Sequence, residues 1–296
     1  MRPCSARRLP LSLGGGMRLN LLVRSRVVQL RVERGFVEVA DGVLHYAACG
    51  AGEPVLLLHQ TPRSWDEYRD VLPLLGRSRR AIAMDTLGFG DSRPVCEGPH
   101  TIERWAGAAV ALLDALGLDR VDAVGHHTGA YVSVELAAAF PERVRAVVLS
   151  SLGLVAPEER RLHAAGRAPV DEVDRAEDGS HVLELWRLRA PFYPDRRPDL
   201  LERFLVDALR AGPLAAEGHR VVARYAVEER LPLVRCPVLL VAATADPHAY
   251  PSLPALRKAL PQAAVVEIPG GMVPLPDGRP DEFAAAIESF LAMLPR

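Results

Sequence analysis

Residues 124–130 read VGHHTGA. The approach, Arg120 to Val124 (RVDAV), is strand-like; Gly125 and Gly129 flank a three-residue centre; a helical pattern follows. This is the shape of the G-x-S-x-G turn, in which a strained strand-to-helix junction lifts a serine nucleophile clear of a sheet. Here the middle residue is His127, so the turn is expected without its usual hydroxyl.

Outward from this turn the signals alternate. GFVEVA and VLHYAA read as two short strands meeting at Asp41-Gly42, a hairpin signal. PVLLLH (54–59) and RAIAMD (80–85) are continuous apolar runs, as buried parallel strands are. SWDEYRDVLPLLG reads as one helix, capped at Ser64 and stopped near Gly76; TIERWAGAAVALLDALG is a second, capped at Thr101. Helix 130–140 and strand 144–150 follow the turn. Residues 152–232 then show several helical stretches and no convincing strand. After them come strand 237–246, helix SLPALRKALP, strand AVVEIP and the closing helix PDEFAAAIESFLAMLP. Strands alternating with helices of this length predict a mostly parallel sheet covered on both faces, an α/β fold. The helical insertion predicts a cap over the carboxyl edge of the sheet, where such sheets bind ligands.

Composition excludes several classes. The 296 residues carry a formal net charge of −1, with no basic stripe for nucleic acid and no polybasic segment for a membrane surface. Among 36 cationic residues only Lys258 is lysine, which reads as coding bias. Cys4, Cys49, Cys96 and Cys236 are scattered without a C-x-x-C pair, which fits neither a disulfide framework nor zinc and points to the cytoplasm. No apolar run approaches the ~18 residues of a membrane span. Residues 1–34 are set apart as an N-terminal extension, disordered or preceding a true start at Met17. Their apolar part, Leu9 to Leu13, is too short for a signal peptide and contains Pro10.

Over about residues 35–295 the chain resembles the α/β-hydrolase superfamily. LLLHQTP (56–62) is similar to the H-G-x-P segment after the third strand, and MDTLGFGDS (84–92) to the D-x-x-G-x-G-x-S segment after the fourth. VGHHTGA matches the nucleophile elbow, and ATADP closes the strand that follows the insertion. The resemblance implies a core of 35–151 and 233–296 with a helical cap of 152–232. It puts the nucleophile position at His127 and the acid at Asp246. It assigns the oxyanion donors to the backbone N–H groups of Thr61 and Thr128, with Gln60 and His59 beside them. The third triad member should be a His in IPGGMVPLP (268–276), which has none; Met272 is nearest in position, and Gln60 replaces a glycine.

An ordinary serine esterase is therefore disfavoured, because both the hydroxyl and the separate imidazole are missing. The favoured expectation is a cofactor-free enzyme on a small carbonyl-bearing compound, with His127 as general base or acid. The chemistry would be hydrolysis by activated water or a lyase or cyclase step. The alternatives are a hydrolase whose base comes from elsewhere, such as His248, and a catalytically silent small-molecule binder. His126 is expected to be structural, Asp85 and Asp91 to brace loops, and Ser150 and Ser151 to be displaced nucleophile candidates. No metal is expected. Trp186, Phe192, Tyr193, Phe204 and Tyr225 are expected mainly to pack the insertion, some of them lining its pocket.

Overall fold

A computed structural model describes residues 30–95, 98–164 and 171–295. Most of the extension, residues 1–29, lies outside them. Strand β1 (Glu33–Val39) starts ahead of the expected Gly35, and Leu30 and Val32 already pack against the core. It pairs antiparallel with β2 (Gly42–Cys49) through the turn at Ala40-Asp41.

The remaining strands are β3 (Pro54–Leu58), β4 (Arg80–Met84), the two-residue β5 (Arg93–Pro94), β6 (Val121–His126), β7 (Val144–Ser150), β8 (Val238–Ala243) and β9 (Ala264–Ile268). They form one sheet in the order β1-β2-β4-β3-β6-β7-β8-β9, with β5 attached to β2. β2–β4 is antiparallel and every pairing from β4 to β9 is parallel. The apolar runs read as buried strands are buried: β6 and β8 expose none of their residues.

Helices α1 (Leu72–Leu75), α2 (Ile102–Ala115), α3 (Thr128–Ala139), α9 (Leu253–Ala259), α10 (Leu275–Gly278) and α11 (Pro280–Ala292) cover the sheet. Successive strand residues divide between its faces, as a period of two requires. Leu56 and Leu58 pack with Trp105 and Leu112 of α2, whereas Val55 and Leu57 pack with Leu72 of α1 and Phe283 and Ile287 of α11.

The helix expected over 64–76 is broken into a 3-10 turn at Trp65–Tyr68 and then α1. Pro73 is the cause: it suits the first turn of a helix, but further inside it would clash with the carbonyl four residues back. Ser64 caps as expected, its side chain accepting the Asp66 N–H.

The described part of 152–232 is helical: α4 (Pro157–Ala164), α5 (Ser180–Arg189), α6 (Pro198–Ala211), α7 (Leu214–Arg224) and α8 (Val227–Arg230). Gly218 of α7 lies against the side chains of Thr61 and Phe89. The Phe192 ring rests 4.6 Å from that of His248. The insertion thus covers loops that leave β3, β4 and β8 at their carboxyl ends. No described helix is long and apolar enough to cross a membrane.

Candidate active site

Close backbone packing dictates the turn between β6 and α3. A methyl at Gly125 would strike the Gly129 carbonyl, and one at Gly129 would strike the Leu58 carbonyl on the neighbouring strand. With both glycines in place, His127 takes φ 46° and ψ −114°, a conformation a side-chain-bearing residue rarely holds. Its N–H is anchored on the Ser150 carbonyl of β7 at 3.0 Å, and its carbonyl receives the Ala130 N–H at 2.8 Å.

The imidazole faces Asp246, with Nε2 2.8 Å from Oδ2. The pair has the length of a charge-assisted hydrogen bond without its alignment. Asp246 follows β8 and is 1% exposed. Its Oδ1 accepts the N–H groups of His248 at 3.0 Å and Ala249 at 3.2 Å, which aims Oδ2 at the ring. Burial works to raise this carboxyl, but His127 and the His248 N–H outweigh it and hold the group well below the usual carboxylate range. The His127 side chain is 18% exposed. Its Nδ1 has no partner among the described residues, and it is not among the enclosed, unpartnered atoms.

Thr61 and Thr128 meet, but not as two free amides. The Thr61 N–H donates to Thr128 Oγ1 at 3.2 Å, so it is already engaged. The site offers instead the N–H of Thr128, the first residue of α3 and without an intrahelical acceptor, together with the Thr128 hydroxyl. The hydroxyl proton is polarised by the bond that its oxygen accepts.

His59 and Gln60 turn away from this chemistry. His59 donates from Nδ1 to the Gln60 carbonyl at 2.8 Å and accepts the Thr86 N–H on Nε2 at 2.9 Å, which ties two loops together. Gln60 donates its backbone N–H (2.9 Å) and side-chain NH2 (2.6 Å) to Glu67. As expected, His126 is structural. It is wholly buried, donates from Nε2 to the Val273 carbonyl at 2.7 Å and accepts Ser150 Oγ on Nδ1 at 2.9 Å. With both nitrogens taken, it cannot join His127 around a metal.

The remaining candidates sort as follows. Ser150 is spent on His126, and Ser151 is 4% exposed. His248 contributes its backbone N–H to Asp246, while its ring is tilted against Phe192. Met272 is half-buried in a loop pinned at both sides, by the Gly271 carbonyl to the Ala245 N–H (2.8 Å) and by Val273 to His126. Asp85 braces its loop by accepting from Trp65, Asp91 and His45, and Asp91 pairs with Arg34 and Arg210. His45, Asp85 and Asp91 gather as closely as metal ligands do, yet these bonds already occupy them. Tyr193 and Phe204 pack within the insertion, and Tyr225 donates to Glu135.

Sequence reading missed the ionic cluster beside Thr61. Arg63, 0% exposed, reaches Asp207 of α6 (2.9 Å), Asp277 of α10 and Asp66 (3.4 Å). Ser64 Oγ donates to Asp207 at 2.9 Å, and Arg203 of α6 bonds Asp66 at 2.6 Å and lies 3.0 Å from Asp277. Glu67 lies in the same buried region, where burial first and then Asp277 raise its carboxyl against the pull of Arg63. The available signal was Asp207 itself, a charge on the face of α6 that buries Leu200, Phe204 and Ala208.

The family model described as the alpha/beta hydrolase fold matches residues 53–272. A 2-hydroxy-6-oxo-2,4-heptadienoate hydrolase of Pseudomonas putida is 39% identical over 129 residues, 42% of this chain. The match spans 46% of that protein, under half its length. Haloalkane dehalogenase 2 of Mycobacterium tuberculosis is 27% identical over 276 residues, 86% of this chain and 93% of that one. Among solved structures, the enol-lactonase from Burkholderia xenovorans LB400 superposes with a TM-score of 0.74 at 22% identity, covering 87% of this chain and 100% of that one. At that identity the likeness concerns the fold.

Proposed function

The chain belongs to the α/β hydrolase fold family, and from that premise we propose that it is a hydrolytic enzyme for a small, carbonyl-bearing organic compound, working without a cofactor through His127 as general base. One observation carries the reading: an imidazole stands at the elbow, 2.8 Å from a buried, backbone-oriented carboxylate. Asp246 fixes the proton on Nε2 and leaves the lone pair on Nδ1, as the carboxylate of a triad does for its His. The developing oxyanion is received by the Thr128 N–H and hydroxyl at the start of α3, where the helix dipole favours negative charge. The insertion serves as a cap that limits the site to small substrates. The relatives named above, which act on small organic molecules, support this choice of substrate size.

A positioned base contributes about 10²–10⁴ in rate, and one oxyanion donor about 10²–10³. These factors suit an activated ester and fall short for an amide. The test is hydrolysis of p-nitrophenyl acetate by wild type, His127→Gln and Asp246→Asn. Loss of at least about a hundredfold in His127→Gln is expected, with a smaller loss in Asp246→Asn. Equal rates in all three proteins reject the assignment, and tight ligand binding without turnover would favour a silent binder.

A further inference from the structure

Resting on that reading, we propose that His127 Nδ1 attacks the acyl carbon itself, forming an N-acylimidazolium, and that the substrates are esters or lactones whose leaving oxygen belongs to a phenol or an enol. The elbow exists to present a side-chain atom beside the first N–H of the following helix. Nδ1 stands two bonds beyond Cβ, whereas Nε2 stands three bonds out and is turned to Asp246. The unpartnered nitrogen is therefore the one free to meet a carbonyl whose oxygen sits on the Thr128 N–H. A base acting through water needs space for that water between nitrogen and carbon. A nucleophile needs none.

The atoms and charges balance along this route. Nδ1 forms a bond to the carbonyl carbon while the π pair moves onto oxygen, toward Thr128. The pair returns and the C–O bond to the leaving group breaks, releasing a phenolate or enolate that takes a proton from water. The acylated ring keeps its Nε2–H and gains one positive charge, which lies directly against the Asp246 carboxylate. Water then adds to the acyl carbon and gives up a proton to solvent, and the C–Nδ1 pair returns to the ring. The sum is ester plus water to acid plus alcohol.

The substrate class follows from what faces the leaving group. The loop that would carry a proton-donating His carries Met272. With no imidazole on the loop after β9 to protonate it, the leaving oxygen departs as a stable anion. An alkoxide is a worse leaving group than imidazole, so an alkyl ester would only expel His127 again. Enolates and phenolates leave forward.

The experiment mixes the full-length protein with excess p-nitrophenyl acetate, stops the reaction in acid within the first turnover, and reads intact mass and peptide maps. One acetyl group on His127, removable by hydroxylamine, is expected together with a burst of about one p-nitrophenolate per protein. Asp246→Asn should keep the amplitude and slow the burst at least about tenfold. His127→Gln and His127→Gly should show neither burst nor acetylation; the glycine variant, which the backbone conformation favours, controls for folding. Ethyl acetate should not be turned over above the uncatalysed rate, and its turnover overturns the substrate class. Absence of acetyl on His127 overturns the covalent step. If turnover still needs His127, the general-base reading survives alone; if turnover persists in His127→Gln, both fall.

Discussion

His127 carries the strain of the turn and, in the proposed function, its chemistry, and the two can be separated by substitution. At φ 46° and ψ −114° a residue with a Cβ costs about 1–3 kcal/mol over glycine. His127→Ala and His127→Gly lose the same pair with Asp246, so that loss cancels between them. We expect His127→Gly to be the more stable by about 1–2 kcal/mol in urea unfolding, the reverse of the usual Ala–Gly order. Equal stabilities would mean that the turn relaxes without cost. His126 sets a pH dependence. Burial, and then the charge of His127, hold its ring neutral well below the ordinary imidazole range. The unfolded chain takes up a proton near pH 6.5 that the folded chain refuses. This contribution is therefore complete above about pH 6.5 and is lost as pH falls below it. His126→Gln, whose amide can still donate to Val273, should flatten the fall in urea midpoint between about pH 7.5 and 5; an unchanged slope would assign it to other groups. That His127 and Asp246 would stand together was legible because chain order fixes where the elbow and the loop after β8 lie on this fold. The Thr128 hydroxyl was not. Its proposed role rests on a bond from Thr61, 67 residues earlier, which no local pattern announces.

At the scale of elements, periodicity located the long strands and the capped helix α2 to within three residues and missed the two-residue β5, since burial on a sheet leaves a period of two and a core-facing helix one of 3.6. It failed at 64–76, where Pro73 divides what the apolar spacing joins. It also gave no account of how α6 meets the core. Asp207 sits on the buried face of α6 and is matched by Arg63 and Ser64 from the loop that carries Thr61. Arg63→Met would strand Asp207 without a counter-charge and leave Asp277 with Arg203 alone, and we expect a cost of about 3–5 kcal/mol. Adding Asp207→Leu should recover part of that loss, because the pair is then replaced by apolar contact. A double mutant whose cost equals or exceeds the sum of the singles would show that the two groups do not depend on each other. Hydrogen exchange gives the matching local readout: in Arg63→Met the amides of α6 should open at lower free energy than those of α3.

For the molecule as a whole, the parallel order β4-β3-β6-β7-β8-β9 brings the β6–α3 turn, the loop after β8 and the loop after β9 to one carboxyl edge. That convergence was readable from the alternation of strands and helices with one helical insertion. The residues were not all those it usually serves, because the loop after β9 holds Met272 where an imidazole is expected. Yet the loop has kept its place: Gly271 accepts the Ala245 N–H, one residue before Asp246, and Val273 accepts from His126, one residue before the elbow tip. The backbone frame for a separate imidazole thus remains while the side chain differs. His127→Ser together with Met272→His should therefore create a weak serine esterase, labelled by a fluorophosphonate at residue 127. Wild type should stay unlabelled, since Ser92 and Ser150 are buried and bonded and Ser151 is buried. His127→Ser alone should be inert, because nothing takes the hydroxyl proton. The gain will be small, since catalytic groups must stand within about 0.5 Å of their working geometry and the Met272 loop was never packed around a ring. Intact mass after probe treatment, with p-nitrophenyl acetate rates alongside, decides the matter. If the double variant stays unlabelled and no faster than the single one, the loop after β9 does not aim residue 272 at the elbow.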